Sequence, residues 1–311
     1  MTDAETRRPA AAPELGEGGW HWGAAAAATF CISIWGAVPL VTKFAAEDFD
    51  AEAVGMLRVV FCLPFVLLII LGGRRPLPSG AVWGGLLVTA VTVFIGFPVL
   101  FSWGQALTTA SHGGLIIATA PILTGIVSAV WHRHWPGRAW ALGAVLGFAG
   151  VASLILIRAE GIAPAHAPSL TGDLMILAGV LAAAIGYVSG ARQTKTLGSG
   201  TVTYWANLLA SVILLPWALW YFSSLEVTVV RWQAWASIIY LAAFAQVVNF
   251  VLWYWAMNRG GIARIASFQF VQPLITLVLA VVFLGEVMTL PLLASAALIL
   301  FGTGLCQFKR Q

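Results

Sequence analysis

The stretch FQFVQPLITLVLAVVFLGE, residues 268–286, is apolar enough to cross a membrane, yet it contains Gln269, Gln272 and Pro273. Burying an amide without a partner costs free energy, and proline removes one backbone hydrogen bond from a helix. A break of this kind is tolerated at membrane depth where neighbouring groups satisfy the freed carbonyl or where the segment lines a wet cavity. The stretch therefore predicts a broken membrane helix beside a cavity.

The composition of the whole chain indicates a membrane protein. Of its 311 residues, 60% are hydrophobic and 9% are charged, and the mean hydropathy is +0.91. A soluble domain carries about 25% charged residues, so this chain could not cover a water-facing surface. The composition predicts an all-α polytopic membrane protein surrounded by the lipid bilayer. The net charge of +4 is spread along the chain, which argues against a nucleic-acid partner.

No motif in the sequence predicts a metal site, a disulfide or a cofactor. The three cysteines, Cys31, Cys62 and Cys306, lie in apolar runs, where packing is their expected role. The HRH motif of residues 132–134 points its two histidines to different sides of a helix, and no Cys or Asp accompanies it. We interpret this motif as a cytoplasmic positive anchor.

Ten segments are long and apolar enough to span a bilayer, because a span needs about 20 apolar residues. They cover residues 22–43, 53–72, 81–105, 112–132, 139–157, 173–192, 202–222, 233–257, 263–284 and 289–307. Counted at alternate ends of these segments, 12 of the 16 Lys and Arg residues lie on the side of the N-terminus. That split predicts ten transmembrane helices with both termini in the cytoplasm. Residues 1–20 are polar and rich in Ala, Gly and Pro, which predicts a disordered cytoplasmic tail.

An internal repeat appears at a single offset, because Pro121 and Pro273 are 273 − 121 = 152 residues apart. The same shift pairs Trp83 with Trp235, Trp103 with Trp255, Thr124 with Thr276 and Gly150 with Gly302. These coincidences predict a duplicated five-helix unit, residues 21–158 and residues 172–311, joined by a loop at residues 159–171. Because five is odd, the second copy enters the membrane from the opposite side. The prediction is therefore two inverted repeats around a central cavity, an architecture suited to alternating access.

Three motifs carry a resemblance to a known family. APILT at residues 120–124, QPLIT at residues 272–276 and LGE at residues 284–286 resemble the EamA-like ten-helix branch of the drug/metabolite transporter superfamily. The chain is similar to bacterial exporters of aromatic and other amino acids. The resemblance implies that helices 1, 3, 4, 6, 8 and 9 surround the cavity, with helices 5 and 10 at the periphery. The chain departs from the family pattern where His134 occupies the position that matches Glu286.

Amides mark a candidate substrate site in the eighth and ninth segments. The resemblance implies that Gln269 and Gln272 face the cavity, because residues three or four positions apart share one side of a helix. Gln246, Asn249 and Trp253 repeat that spacing in the eighth segment. An alternative for each amide is a hydrogen bond that joins two helices.

The opposite wall of the cavity is expected to be apolar and aromatic. The 152-residue shift matches Gln246 with Phe94 and Asn249 with Phe97, so rings in one half face amides in the other. Further aromatic surface is expected from Trp35, Trp103 and Tyr187. A cavity of this kind fits an amphipathic small-molecule solute such as a neutral or aromatic amino acid. Nucleobases and drug-like solutes stay open as alternatives.

Three basic residues are candidates for gating or coupling. His112 and Arg264 are repeat partners at opposite mouths of the fourth and ninth segments, and histidine is the residue type that commonly serves as a switch near neutral pH. Arg58 lies about a turn and a half into the second segment. It either extends to the interface or attracts a substrate carboxylate or a partner such as Glu52 or Asp48. No Asp or Glu lies in the middle of a segment, so the coupling ion is left open.

These observations predict a secondary transporter of small amphipathic metabolites in a bacterial inner membrane, and the resemblance implies export. The rival is a membrane-embedded enzyme that uses Ser111 and His112. We do not expect an enzyme, because the sequence has no GxSxG motif and no Asp beside the histidine. A homodimer through the fifth and tenth segments, where Gly143 and Gly147 form GxxxG, and a monomer both stay open.

Overall fold

The computed structural model describes residues 22–73, 77–156, 168–260, 265 and 267–308. Within these ranges the regular secondary structure is helical, with no β-strand. Eight helices are long and apolar enough to cross a membrane, and two shorter apolar helices follow them. The helices are α1 (Trp22–Ala45), α2 (Ala51–Gly72), α3 (Trp83–Leu107), α4 (Ala110–His132), α5 (Arg138–Leu156), α6 (Leu170–Leu197), α7 (Ser199–Ser224), α8 (Trp232–Trp253, helical on to Gly260), α9 (Phe268–Leu284) and α10 (Leu290–Phe308). Each predicted segment overlaps one of these helices, whereas the predicted tail and most of the connecting loop lie outside the described residues.

Several helices are interrupted just before a proline. α4 breaks before Pro121, and α9 changes from a 3-10 helix to an α-helix before Pro273. Pro39 in α1 and Pro64 in α2 also follow breaks. In all four places the proline lies in the first turn of a new helix, where its missing N–H removes no intrahelical hydrogen bond. Pro273 therefore begins a helix and does not free a carbonyl inside one.

Two helices contain a π-helical segment at matching positions. In α3 the segment is Ala90–Gly96, and in α8 it is Tyr240–Val248. The 152-residue shift places residues 90–96 on residues 242–248, inside the second segment. Long π-helical segments are rare and are frequently found at functional sites. The two copies therefore share the same departure from α-helical geometry.

The helices pack into two groups that the 152-residue shift exchanges. Helices α3, α4 and α6 form the first group, and α8, α9 and α1 form the second. The shift takes α3 to α8, α4 to α9 and α1 to α6, so each group holds helices from both halves of the chain. Outside these groups, α2 packs against α7 and α5 packs against α10.

The glycines of α5 and α10 allow these two helices to approach closely within one chain. A Cβ atom added at Gly302 would lie 2.6 Å from the carbonyl oxygen of Gly143 and would also meet the backbone of Gly147. A Cβ added at Gly304 would meet no atom within 4 Å. The GxxxG face predicted from Gly143 and Gly147 is therefore covered by α10 of the same chain.

We expect Gly302→Ala to lower the free energy of unfolding by about 1–3 kcal/mol, the usual cost of overpacking, because backbone atoms cannot move aside as a side chain would. Thermal unfolding of the detergent-solubilised protein measures the effect. Gly304→Ala is the matched control, since it adds the same methyl group to the same helix in open space. Equal melting temperatures for the two variants would contradict the close packing of α5 on α10.

Candidate functional site

One end of the helical bundle is closed by packing between the two helix groups. We call it the closed face; it holds residues 46–50, 108–109, 225–231 and 285–289. Here the second part of α1, Val38–Ala45, packs against the last part of α3 and the first part of α4. The α-helical part of α9 also packs against the first part of α4. In the described residues, the extensive packing between the two groups lies in this half of the bundle.

The tightest contact between the groups joins α4 to α9. A Cβ added at Gly114 would lie 2.5 Å from Cγ2 of Thr276. Thr276 cannot turn away freely, because its hydroxyl donates a hydrogen bond of 2.7 Å to the carbonyl oxygen of Gly36 in α1. Gly114 therefore lets α4 lie directly on α9 and α1.

A carboxylate at the end of α9 holds the beginning of α4. Oε1 of Glu286 accepts a hydrogen bond from the backbone N–H of Ala110 (2.6 Å), and Oε2 accepts one from Ser111 (3.0 Å). These amides belong to the first turn of α4, where N–H groups lack intrahelical partners and a negative charge is favourable. Gly285 turns the chain in a left-handed conformation (φ 64°) just before Glu286. Glu286 therefore links the two helix groups at the closed face.

A second polar cluster joins α3, α4 and α6 beside this carboxylate. Nδ1 of His112 lies 2.9 Å from Oδ2 of Asp173, and the Thr108 hydroxyl donates to Oδ1 of Asp173 at 2.6 Å. Both side chains are buried, with Asp173 only 1% exposed. The sequence predicts His112 as a gate residue, whereas it assigns no role to Asp173. No sequence signal links the two, because packing of α6 on α4 brings them together.

The loops of the closed face are also joined by charge. Arg231 pairs with Asp48 (Nε–Oδ2 2.9 Å) and with Glu47 (Nη2–Oε2 2.7 Å). Hydrogen bonds to Asp48 and Glu47 raise the pKa of the exposed Arg231 guanidinium above its usual value. Exposed ion pairs of this kind contribute little to stability, so the contacts between the helices are the main interactions that hold this face closed.

A cavity of about 320 Å³ lies in the other half of the bundle, away from the closed face. Its walls come from α3, α6, α7 and one residue of α8. The lining residues are Thr89, Val93, Phe94, Gly186, Tyr187, Gly190, Ala191, Thr194, Val202, Thr203 and Phe250. Tyr187 and Ala191 are exposed, so the cavity communicates with the surroundings at this end. The wall combines three aromatic rings with the hydroxyls of three threonines.

The structure distributes the predicted aromatic residues unequally around this cavity. Phe94 and Tyr187 line it directly. Trp35 contacts the cavity residue Phe250 edge to face at 5.4 Å, and it contacts Trp253 at 5.3 Å. The remaining two lie elsewhere: Phe97 stacks on Phe101, and Trp103 is 39% exposed on the surface of the bundle.

The predicted amides make contacts between helices. Nε2 of Gln246 donates to Oδ1 of Asn207 in α7 (2.7 Å), and Asn207 in turn donates to the carbonyl of the cavity residue Thr203 (3.0 Å). Nδ2 of Asn249 donates to the carbonyl of Cys31 in α1 (2.9 Å). Gln246 is thus one residue removed from the cavity wall, whereas Asn249 joins α8 to α1.

The other predicted site residues lie as follows. Gln269 and Gln272 are half-buried at the break in α9, and Trp253 is buried against α1. Arg58 is buried inside α2, and Arg264 lies outside the described residues. Sequence reasoning missed Thr89, Gly190, Thr203 and Phe250, since Thr, Gly and Phe are common in membrane helices and gave no signal.

Several known proteins resemble this chain in sequence or in fold. A model of the EamA-like transporter family matches residues 21–156 and again residues 170–306. The chain is 29% identical over 253 residues to the uncharacterized transporter YdeK of Bacillus subtilis, covering 81% of this chain and 85% of that protein. It is 28% identical over 225 residues, 70% of each chain, to a protein of Streptantibioticus cattleyicolor named a probable terminal-alkyne amino-acid exporter. One solved crystal structure shares the fold, with a TM-score of 0.60 at 20% identity over 91% of this chain and 96% of that one.

The family match covers both halves of the helical bundle and nearly all of the described residues. Eight apolar helices of spanning length agree with the multi-pass membrane location of such proteins. This chain therefore belongs to the EamA-like transporter family.

Proposed function

We propose that the chain is a secondary transporter that moves small amphipathic metabolites by alternating access. In this proposal α1–α10 all cross the membrane as two inverted five-helix repeats, residues 21–158 and 172–311, with both termini in the cytoplasm. The closed face is then the extracytoplasmic one, and the cavity opens to the cytoplasm. An exporter loads its solute in that conformation.

One observation carries the proposal: the cavity adjoins two helix groups whose extensive contacts, in the part of the chain that the structure describes, lie at one end. The 152-residue shift exchanges the two groups. A second conformation, related to the first by the pseudo-two-fold axis and packed at the other end, therefore has similar helix contacts. Two interactions must break when the closed face opens. They are the hydrogen bonds of Glu286 to the backbone of α4 and the packing of Gly114 against Thr276. Alternation between two such conformations moves a solute from one side to the other.

The chemistry of the cavity supports an amphipathic solute. Phe94, Tyr187 and Phe250 offer ring surface, and the hydroxyls of Thr89 and Thr203 are nearby hydrogen-bonding groups. The volume of about 320 Å³ fits the lower end of the range for small-molecule sites, roughly 300–1,000 Å³. We infer neutral or aromatic amino acids as the first candidates, supported by the name of the Streptantibioticus relative. Nucleobases and drug-like solutes are the second candidates.

A membrane-embedded enzyme receives less support from the same residues. His112 is paired with Asp173, but the Ser111 hydroxyl has no hydrogen-bond partner in the described structure. A serine nucleophile needs its hydroxyl bonded to a general base. The named relatives are transporters as well.

Counterflow in proteoliposomes tests the proposed function. Vesicles that contain the purified protein and an unlabelled amino acid should take up the labelled compound faster than empty vesicles, with a rate that saturates. The series should begin with neutral and aromatic amino acids and continue with nucleobases, with and without a pH gradient. Non-saturating flux would indicate a channel, and no flux of any solute through folded protein would contradict the proposal.

A further inference from the structure

Arg58 is a buried cation inside a membrane helix. Its side chain is part of α2, only 5% of the residue is exposed, and two of its nitrogens, Nε and Nη1, have no hydrogen-bond partner among the described residues. None of the ion pairs formed by the described residues includes Arg58. Asp48, which the sequence offered as a partner, is instead bound by Arg231.

The position of Arg58 follows from the contacts of its neighbours. Gly55 lies against α3, where an added Cβ would be 2.5 Å from Cα of Val99. Because α2 and α3 run in opposite directions, the residues that follow Gly55 in α2 lie beside the residues that precede Val99 in α3, towards the π-helical segment Ala90–Gly96. Phe94, which lines the cavity, belongs to that segment.

The side of α2 that carries Arg58 also faces α8. Cys62 lies four residues later, on the same side of the helix, and its thiol donates to the carbonyl of Ala242 at 3.4 Å. Ala242 belongs to the π-helical segment of α8. Arg58 thus lies between the two helices whose π-helical segments correspond in the repeat.

An isolated guanidinium at this depth is costly. Burial removes its hydration, and no carboxylate in the described part of the chain compensates for the loss. Ionisable side chains within membrane helices are rare and mark substrate or ion pathways. A guanidinium with free N–H groups is suited to bind a carboxylate through two parallel hydrogen bonds.

We propose that Arg58 binds the carboxylate of the transported solute. This inference rests on the proposed transport function and narrows its substrate class to amino acids and other monocarboxylates, excluding nucleobases. The ring or aliphatic part of the solute then lies against Phe94 and the other aromatic residues of the cavity. Because the guanidinium is buried in the described conformation, the carboxylate reaches it as the helices around Phe94 rearrange.

Three related solutes test the assignment in proteoliposomes. Phenylalanine has the carboxylate and the amine, 3-phenylpropionate has the carboxylate alone, and phenylalaninamide has the amine without a carboxylate. We expect the wild type to carry the first two and to discriminate against the amide by about tenfold or more, because the site presents an unpaired charge. Equal transport of all three solutes by the wild type would overturn the proposal regardless of any variant.

Substitutions separate a binding role from a structural one. Arg58→Gln should reduce transport of the two carboxylates by about tenfold or more and leave the amide unchanged, and Arg58→Lys should retain part of the activity. Arg231→Gln is the control, since it removes an exposed arginine of the closed face. An equal loss for all three solutes in Arg58→Gln would assign a purely structural role.

Ligand-induced thermal stabilisation distinguishes failure of this inference from failure of the transport function. If the wild type carries neither these solutes nor any other solute of the counterflow series, transport is contradicted. Stabilisation by phenylalanine in the wild type but not in Arg58→Gln would then still support the site. Absence of stabilisation by either carboxylate in the wild type would overturn it.

Discussion

Gly114→Leu is expected to reduce transport by about tenfold or more, because a leucine cannot fit between α4 and α9. The first added carbon would already be 2.5 Å from Cγ2 of Thr276, and the hydrogen bond from Thr276 to Gly36 holds that methyl group in place. The variant should therefore be unable to close this face. The counterflow rate should fall towards the rate of vesicles that lack the protein.

Accessibility distinguishes this effect from simple misfolding. In the Gly114→Leu variant, residues of the closed face should become more reactive to a membrane-impermeant reagent than in the wild type, while the protein still elutes as a folded species. Gly84→Leu is the matched control, since Gly84 is exposed and a Cβ added there would meet no atom within 4 Å. Normal transport by Gly114→Leu would show that the contact between α4 and α9 is not part of the transport cycle.

Gly190→Leu should strongly weaken solute binding while leaving the fold intact. A Cβ at Gly190 would lie 3.5 Å from Cγ2 and Oγ1 of Thr89 and 3.8 Å from Val202, which are ordinary contact distances. The rest of the leucine side chain would then occupy the cavity of about 320 Å³. We expect the solute affinity to fall by about tenfold or more, since the apolar contact surface is lost.

Gly190→Ala provides the control, because its methyl group fits the available space and leaves most of the cavity empty. Thermal unfolding of both variants should match the wild type, and binding should be weakened only in the leucine variant. Unchanged affinity in Gly190→Leu would move the solute site away from this cavity. The half-buried amides Gln269 and Gln272 would then become the next candidates.

The apolar segments and their order could be predicted from the sequence because a bilayer imposes a simple demand. A span needs about 20 apolar residues, and polar or turn-forming residues must separate consecutive spans. The predicted starts at residues 22 and 53 lie within two residues of the helix starts Trp22 and Ala51. The repeat was visible because Trp and Pro rarely coincide by chance at one offset.

The contacts of the candidate site could not be predicted in the same way. Gln246, Asn249 and Trp253 have the spacing of one α-helical face, yet Gln246 bonds to α7 and Asn249 bonds to α1. The π-helical segment Tyr240–Val248 explains the difference, because its i→i+5 hydrogen bonds change the angle between successive side chains. Nothing in the sequence of this segment announces that geometry.

The pairing of Asp173 with His112 could not be predicted from the sequence either. Asp173 is in the first turn of α6, where an acidic residue is ordinary because of the helix dipole. Its burial and its contacts with Thr108 and His112 arise only when α6 packs against α3 and α4. Pairing between distant helices depends on tertiary packing, and the spacing of residues along the chain does not predict it.

In the proposed transport cycle, the ends of α4 and α9 are expected to make the two conformations unequal in energy. Both helices end in a left-handed residue at equivalent positions, Arg133 (φ 53°) and Gly285 (φ 64°). The next residue is Glu286 in one copy, where it accepts two backbone hydrogen bonds, and His134 in the other. A neutral imidazole accepts one hydrogen bond and a charged imidazole accepts none. His134 therefore cannot accept two backbone hydrogen bonds at the opposite face, as Glu286 does at this one. In the transport cycle proposed above, we therefore expect the empty carrier to rest in the described conformation, ready to be loaded from a single side.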